Sequence, residues 1–200
     1  MSPSKIVITG TIASGKSTVS EILKSLGYLV IDSDSVNREL LEKGASNYEA
    51  IKNSHLFDQA FVADKLDKKK LAKIIFADKE KMDALNKISH PNIIKAIDEK
   101  LGKCKDKVAF IEIPLFYQMD AEFPTDYVWL VTASEYVQIR RLSQRDDIDK
   151  DYAKEKISKQ YELIKQKREP DYIIVNDGSV AELEEKLRKI LKQEKLLWKL

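Results

Sequence analysis

Residues 5–18 read KIVITGTIASGKST, and the fold turns on how this stretch is read. The spacing Gly10, Gly15, Lys16 and Ser17 fits the pattern G-x-x-x-x-G-K-[ST], which carries meaning only where a strand leads into it and a helix leads out. Both neighbours are legible. KIVIT at 5–9 is a short apolar run ending at a glycine, as a buried strand would be. Val19, Ile22, Leu23 and Leu26 then fall at helical spacing, and Gly27 sits where helices commonly stop. A loop in that setting suits a polyphosphate, because backbone N–H groups converge on it and the helix N-terminus adds partial positive charge. Gly10 and Gly15 allow turns that other residues resist. Lys16 reaches toward the β- and γ-phosphates, and the Ser17 hydroxyl suits Mg²⁺. The candidate nucleotide-binding segment is therefore Gly10, Thr11, Ile12, Ala13, Ser14, Gly15, Lys16, Ser17 and Thr18.

Working outward, 28–31 (YLVI), 108–113 (VAFIEI), 127–131 (YVWLV) and 172–175 (YIIV) read as four further strands. The chain from about 35 to 103 reads as helices, with Asp67 and Asp78 as N-caps ahead of Leu71, Ile74, Ile75 and of Met82, Leu85, Ile88. A helix through Val137 to Leu142 precedes a charged stretch in which Ala153, Ile157, Tyr161 and Ile164 share one helical face. Ser179 and Glu182 form a capping box for a last helix. Strands separated by helices imply an α/β fold with a five-stranded parallel sheet covered on both faces, its functional loops at the strand C-terminal ends. Gly10, Asp32 and Pro114 all fall there. The chain is expected to be a single domain over 1–200, with helical insertions at about 35–103 and 146–168.

The 200 residues, 43% of them hydrophobic, are enough for one core. A balance of 35 basic against 33 acidic residues gives +2 and points to neither nucleic acid nor a membrane surface. Asp67-Lys68-Lys69-Lys70 reads as a solvated helix face. The lone Cys104, between two lysines, reads as a surface thiol, and no run approaches a membrane span. A cytoplasmic protein, monomeric or a small homo-oligomer, is the expectation.

A GTP switch would carry an N-K-x-D segment, whereas Asn86-Lys87-Ile88-Ser89 lacks the aspartate. A motor would be larger and would have a strand ending in Asp-Glu. Here Glu112 stands alone at its strand end, compatible with water-mediated Mg²⁺ binding or with a structural carboxylate. A small-molecule kinase needs a carboxylate beside the acceptor hydroxyl and cationic groups over the γ-phosphate of ATP. Asp32 and Asp34, at the end of the second strand, meet the first need by pointing differently, one toward metal and one toward acceptor. One of them, Asp34 in particular, also suits a cap for the following helix. Arg141 and Arg145, four apart on one helix face ahead of a charged insertion, meet the second as part of a lid.

With these residues in place, the chain resembles the dephospho-coenzyme A kinase family over nearly its whole length. The family's G-G-I-G-S-G-K-S appears as Gly10 to Ser17, and its D-A-D with a following arginine as Asp32-Ser33-Asp34 and Arg38. Leu71, Phe76 and His90-Pro91 match its helical insertion, and Pro114-Leu115-Phe116-Tyr117-Gln118 echoes P-L-L-F-E. Q-x-x-R-L-x-x-R matches Gln138, Arg141, Leu142 and Arg145, a later glutamine matches Gln160, and D-x-x-I-x-N-x-G matches Asp171, Ile174, Asn176 and Gly178. The resemblance implies a P-loop kinase-like three-layer fold with a helical acceptor-binding insertion and a helical lid, transferring phosphate from ATP to the ribose 3′-hydroxyl of dephospho-coenzyme A. It further implies Asp34 as proton acceptor and Asp32 as a partner of Mg²⁺. Arg141 and Arg145 would neutralise the transferring group. Arg38, Phe76, His90, Pro114 and Leu115 would face the acceptor, and Asn176 and Gly178 would border adenine. His90 before proline also reads as a helix start, Asn-x-Gly also as an ordinary turn, and His55 as a surface residue. Shikimate-type kinases share the D-x-D but use a triple-glycine strand end, where this chain has Pro114-Leu115. A regulator that hydrolyses ATP slowly is the alternative from another class, with the two arginines as sensors. Two departures bear on the loop: Thr11 and Ala13 stand where the family has glycine, which is tolerable if those backbone angles are ordinary.

Overall fold

The computed structural model describes residues 3–119, 122–164, 169–194 and 196. The chain divides into two compact units, Met1–Ile31 with Cys104–Leu200, and Asp32–Lys103.

The first unit is built on a five-stranded parallel sheet of β1 (Ser4–Gly10), β2 (Leu29–Asp32), β5 (Val108–Glu112), β6 (Tyr127–Thr132) and β7 (Tyr172–Val175). Its order is β2-β5-β1-β6-β7. In register, Ile8 lies beside Glu112 and Trp129, and Gly10 beside Val131. Alternate residues serve opposite faces. Ile6, Ile8, Phe110, Trp129, Val131 and Ile174 meet α1 (Lys16–Ser25) and α8 (Val180–Gln193) through Val19, Ile22, Leu23, Leu183, Leu187 and Leu191. Val7, Ala109, Ile111 and Val128 are buried on the other face. Burial on both faces is why these strands read as continuous apolar runs. Tyr28, Phe110, Trp129 and Tyr172 form a chain of edge-to-face rings across the sheet, with centroids 5.4, 5.2 and 6.0 Å apart. The helices α6 (Glu135–Asp146) and α7 (Lys150–Ile164) pack together through Leu142, Ala153 and Ile157. Of the 161–164 face only the backbone is described, so Tyr161 and Ile164 lie outside the described side chains. The C-terminal LLWKL is described only at Leu196, which packs on the main core and accepts a 2.7 Å hydrogen bond from the Tyr28 hydroxyl through its carbonyl.

The second unit contains α2 (Ser33–Leu40), α3 (Ser46–Asn53), α4 (Lys68–Ala77) and α5 (Lys79–Gly102) around Ile51, Phe57, Ala60 and Leu71. Asp67 and Asp78 cap α4 and α5 as the sequence suggests, their carboxylates accepting first-turn N–H groups. The all-helical reading needs one correction. Residues 61–66 form a hairpin, β3 (Phe61–Val62) with β4 (Lys65–Leu66), closed by Ala63 and Asp64 at φ 47° and 58°. A second correction concerns His90. It lies inside α5, which runs through Pro91 without ending, because the helix start is set by Asp78 a dozen residues earlier. His55 is exposed as expected, 3.3 Å from Asp58. Among the described residues no helix is long and apolar enough to cross a membrane.

Candidate active site

The loop between β1 and α1 is shaped by close approaches. A Cβ on Gly10 would stand 2.1 Å from the Val131 carbonyl oxygen, so only glycine passes beside β6. Thr11 keeps ordinary backbone angles and donates its N–H to the same oxygen at 3.2 Å. Ala13 does not: its φ is 55°, the left-handed region, where a side chain costs about 1–2 kcal/mol. Of the two departures from family glycines, one is therefore free of strain and the other is not. Gly15 has φ 92°, and a Cβ there would stand 2.2 Å from Asn176 Nδ2.

Left-handed turns at Ala13 and Gly15 make a concavity of backbone N–H groups, and α1 opens with no side-chain cap and no acid in its first turn. Uncapped helix N–H groups and the helix dipole suit an anion. Lys16 Nζ donates to the carbonyls of Gly10 and Thr11, both at 3.1 Å, which holds the ammonium over the loop. Ser17 is exposed in the same first turn and Thr18 follows it, half-buried. This donor set fits a magnesium-bound polyphosphate: a hydroxyl beside phosphate oxygens suits Mg²⁺, which takes few protein ligands. Among the described residues no group of three or more acidic, histidine or cysteine side chains is arranged to hold a metal ion by itself.

Three elements brace the loop from behind. Asn176, following β7, is buried and donates Nδ2 to the Ser14 carbonyl at 2.8 Å. Arg141 of α6 donates Nη1 to the Asn176 carbonyl at 3.0 Å and leans on Ser14 O at 3.5 Å. Gln160 of α7 accepts from the Ile12 N–H through Oε1, while Ile12 and Ala13 pack on Leu142, Ala153 and Ile157. Asn176, read from the sequence as an adenine neighbour, thus has its amide donor engaged with the loop. Gly178 leaves room for the capping-box carboxylate of Glu182, whose Oε2 would lie 2.1 Å from a Cβ there. Arg145 does not join Arg141 at the loop. It forms a side-on pair with Asp146, at 2.8 and 3.3 Å, and that guanidinium holds the Asp146 carboxyl below its usual range. Glu112 accepts from the Ser20 hydroxyl at 2.5 Å, tying β5 to α1. Pro114 follows β5, its carbonyl 3.4 Å from Thr9 Oγ1, and Leu115 beside it is half exposed.

In the second unit, the two aspartates differ from the strand-end geometry expected of them. α2 starts at Ser33, directly after β2, so Asp34 is a first-turn helical residue. The cap is Asp32, at φ −93° and ψ 115°, with Oδ1 accepting from Asp34 N at 3.0 Å and Oδ2 from Ser35 Oγ at 2.6 Å. Asp34 stands exposed at the helix start. Arg38, one turn on, donates to Ser35 Oγ at 2.6 Å and lies 3.7 Å from Asp32 Oδ2. Phe76, at the end of α4, is 84% exposed, unusual for a phenylalanine, and His90 is half-buried in α5. The sequence offered no sign that Gln160 and Asn176 would meet Ile12 and Ser14, since each pair is more than a hundred residues apart.

The family model for dephospho-CoA kinase matches residues 5–182, from the first strand into the last helix. The chain belongs to the dephospho-CoA kinase family. A dephospho-CoA kinase of Carboxydothermus hydrogenoformans is 34% identical over 197 residues, covering 97% of this chain and 95% of that one. A crystal structure from Thermus thermophilus superposes with a TM-score of 0.81 at 30% identity, covering 96% of this chain and 98% of that one. A dephospho-CoA kinase from Campylobacter jejuni superposes with a TM-score of 0.66 at 28% identity, over 94% and 96% of the two chains. In this dephospho-CoA kinase family member, every position of the glycine-lysine-serine loop signature is kept, and the substitutions fall at Thr11 and Ala13 between them.

Proposed function

We infer that this chain transfers the γ-phosphoryl group of ATP to the ribose 3′-hydroxyl of dephospho-coenzyme A, giving coenzyme A and ADP. The observation that carries the reading is the uncapped α1 N-terminus behind a left-handed loop, with Lys16 held over it, in a chain matched by the family model almost end to end. The loop amides and Lys16 grip the β- and γ-phosphates; the Ser17 hydroxyl would hold Mg²⁺, with Asp32 as a partner beyond its direct ligands, and the ion would offset phosphate charge. Asp34 takes the proton of the 3′-hydroxyl as its oxygen bonds to the γ-phosphorus. The bond from that phosphorus to the β–γ bridging oxygen breaks, and ADP leaves with the electron pair. Arg141 steadies the loop that carries this charge. Arg145 joins the transferring group on leaving Asp146. Arg38, Phe76 and His90, with Pro114 and Leu115, contact the acceptor; an exposed phenylalanine gives a nucleobase a stacking surface. Asn176 and Gly178 border adenine through backbone, since the Asn176 amide is engaged with Ser14.

The test is a panel of acceptors with ATP and Mg²⁺, following ADP release. Rapid release is expected only with dephospho-coenzyme A, and shikimate or nucleoside monophosphates should give no more than the rate without acceptor. Equal turnover with and without dephospho-coenzyme A would make the chain an ATPase and end the kinase reading.

A further inference from the structure

The peptide joining Thr11 to Ile12 is held from both sides. Its carbonyl oxygen accepts from Lys16 Nζ at 3.1 Å, and its N–H donates to Gln160 Oε1. In a planar trans peptide these two groups point in opposite directions, so one rigid plane has the ammonium at one end and the Gln160 amide at the other. Rotating the plane to satisfy either partner differently breaks both contacts.

Gln160 is placed for this by its own helix. Ala153, Ile157 and Gln160 follow at four- and three-residue spacing and share one face of α7. Ala153 and Ile157 are buried on Leu142, and the side chains of Ile12 and Ala13 pack on the same cluster. Apolar packing therefore delivers the helix, and the amide at the end of that face meets the loop. The contact is directional where the packing is not, and it falls on a peptide next to the strained Ala13. A left-handed alanine persists only where its surroundings over-determine it, and the acceptor on the Ile12 N–H is one of the contacts that fix the loop there.

We propose that Gln160 is a positioning residue for Lys16. By fixing the Thr11–Ile12 peptide it keeps that carbonyl under the ammonium, and so keeps the ammonium where the γ-phosphoryl group transfers. The proposal rests on the kinase reading above, and it gives the second lid helix a part in the chemistry without contact to substrate.

The experiment is a double-mutant cycle on the full chain, pairing Gln160→Met with Lys16→Ala and measuring kcat and KM for ATP. Methionine keeps the length and apolar bulk of the side chain but loses the amide acceptor. Gln160→Met alone is expected to lower kcat about tenfold with KM for ATP changed less than about threefold, because a group acting in the transition state is displaced while the binding loop remains. In the Lys16→Ala background the same change should cost less than about twofold, since the group it acts through is gone. A tenfold loss in both backgrounds means that Gln160 supports the fold and not Lys16, and overturns the proposal. An unchanged kcat for Gln160→Met does so too. Should Lys16→Ala itself leave dephospho-coenzyme A phosphorylation intact, the reading of the loop fails separately.

Discussion

Two loop residues with positive φ, Ala13 and Gly15, meet the same restriction with different outcomes. At Ala13 the cost of the left-handed conformation is about 1–2 kcal/mol, and a half-buried methyl against Leu142, Ala153 and Ile157 returns part of it, near 0.8 kcal/mol per carbon when fully buried. The balance is small enough for an alanine to persist. At Gly15 the same conformational cost is joined by a collision, because the new carbon would stand 2.2 Å from the Asn176 amide. Relief requires Asn176 to release Ser14, and the Ser14 carbonyl then loses its nearer donor and keeps only Arg141 at 3.5 Å, at a cost of about 1 kcal/mol or more. Gly15→Ala should therefore weaken ATP binding at least tenfold in calorimetric titration, whereas Ala13→Gly should change it less than threefold. Comparable losses for both would mean that the Asn176 brace does not shape the loop. The glycine signature was legible because backbone conformation is set within a few residues; the identity of what crowds Gly15 was not, since Asn176 arrives from across the sheet.

Among the elements, legibility followed how local the deciding chemistry is. The caps at Asp67, Asp78 and Ser179 rest on side chains bonded to N–H groups two or three residues away, and the sequence reading found each. The hairpin at 61–66 was missed because its turn, Ala63-Asp64, lacks the glycine that marks tight turns, and its strands are two residues long. What holds that turn is tertiary. Asp64 pairs with Lys43 at 2.6 Å and Lys52 at 2.5 Å, and accepts from the Tyr48 hydroxyl at 3.1 Å. The hydrogen bonds from Lys43, Lys52 and Tyr48 hold its carboxyl well below the usual carboxylate range. A folded-state value below the unfolded one makes the contribution complete above about pH 4 and progressively lost as pH falls below it. Urea midpoints of the protein and of Asp64→Asn should consequently differ at pH 7, with the gap constant above about pH 5 and narrowing steadily as pH falls below about 4. A gap that stays constant or widens between about pH 5 and pH 2 would show that the carboxylate charge is not what holds the turn.

At the scale of the molecule, the parallel sheet explains which parts of the site could be read in advance. It delivers Gly10, Asp32 and Pro114 to strand C-terminal ends, so the alternation of strands and helices was enough to group them. It did not specify that Asp32 would serve as a cap, since that depends on α2 starting without an intervening loop. The phosphate loop and its braces belong to one compact unit and Asp34 to the other, each with its own core. The bonds that brace the loop come from Asn176, from Gln160 and from the Lys16 ammonium on the loop's own carbonyls. Asp34→Asn is nearly the same shape and removes the proposed proton acceptor, so kcat should fall by at least about a hundredfold, the scale of general-base catalysis. The dissociation constant for ATP, measured by titration without acceptor, should stay within about threefold. Lys16→Ala should act the other way, impairing ATP binding as well as turnover with every acceptor tried. If Asp34→Asn instead weakens ATP and spares kcat, the carboxylate serves metal or fold, and the proton of the 3′-hydroxyl leaves by another route.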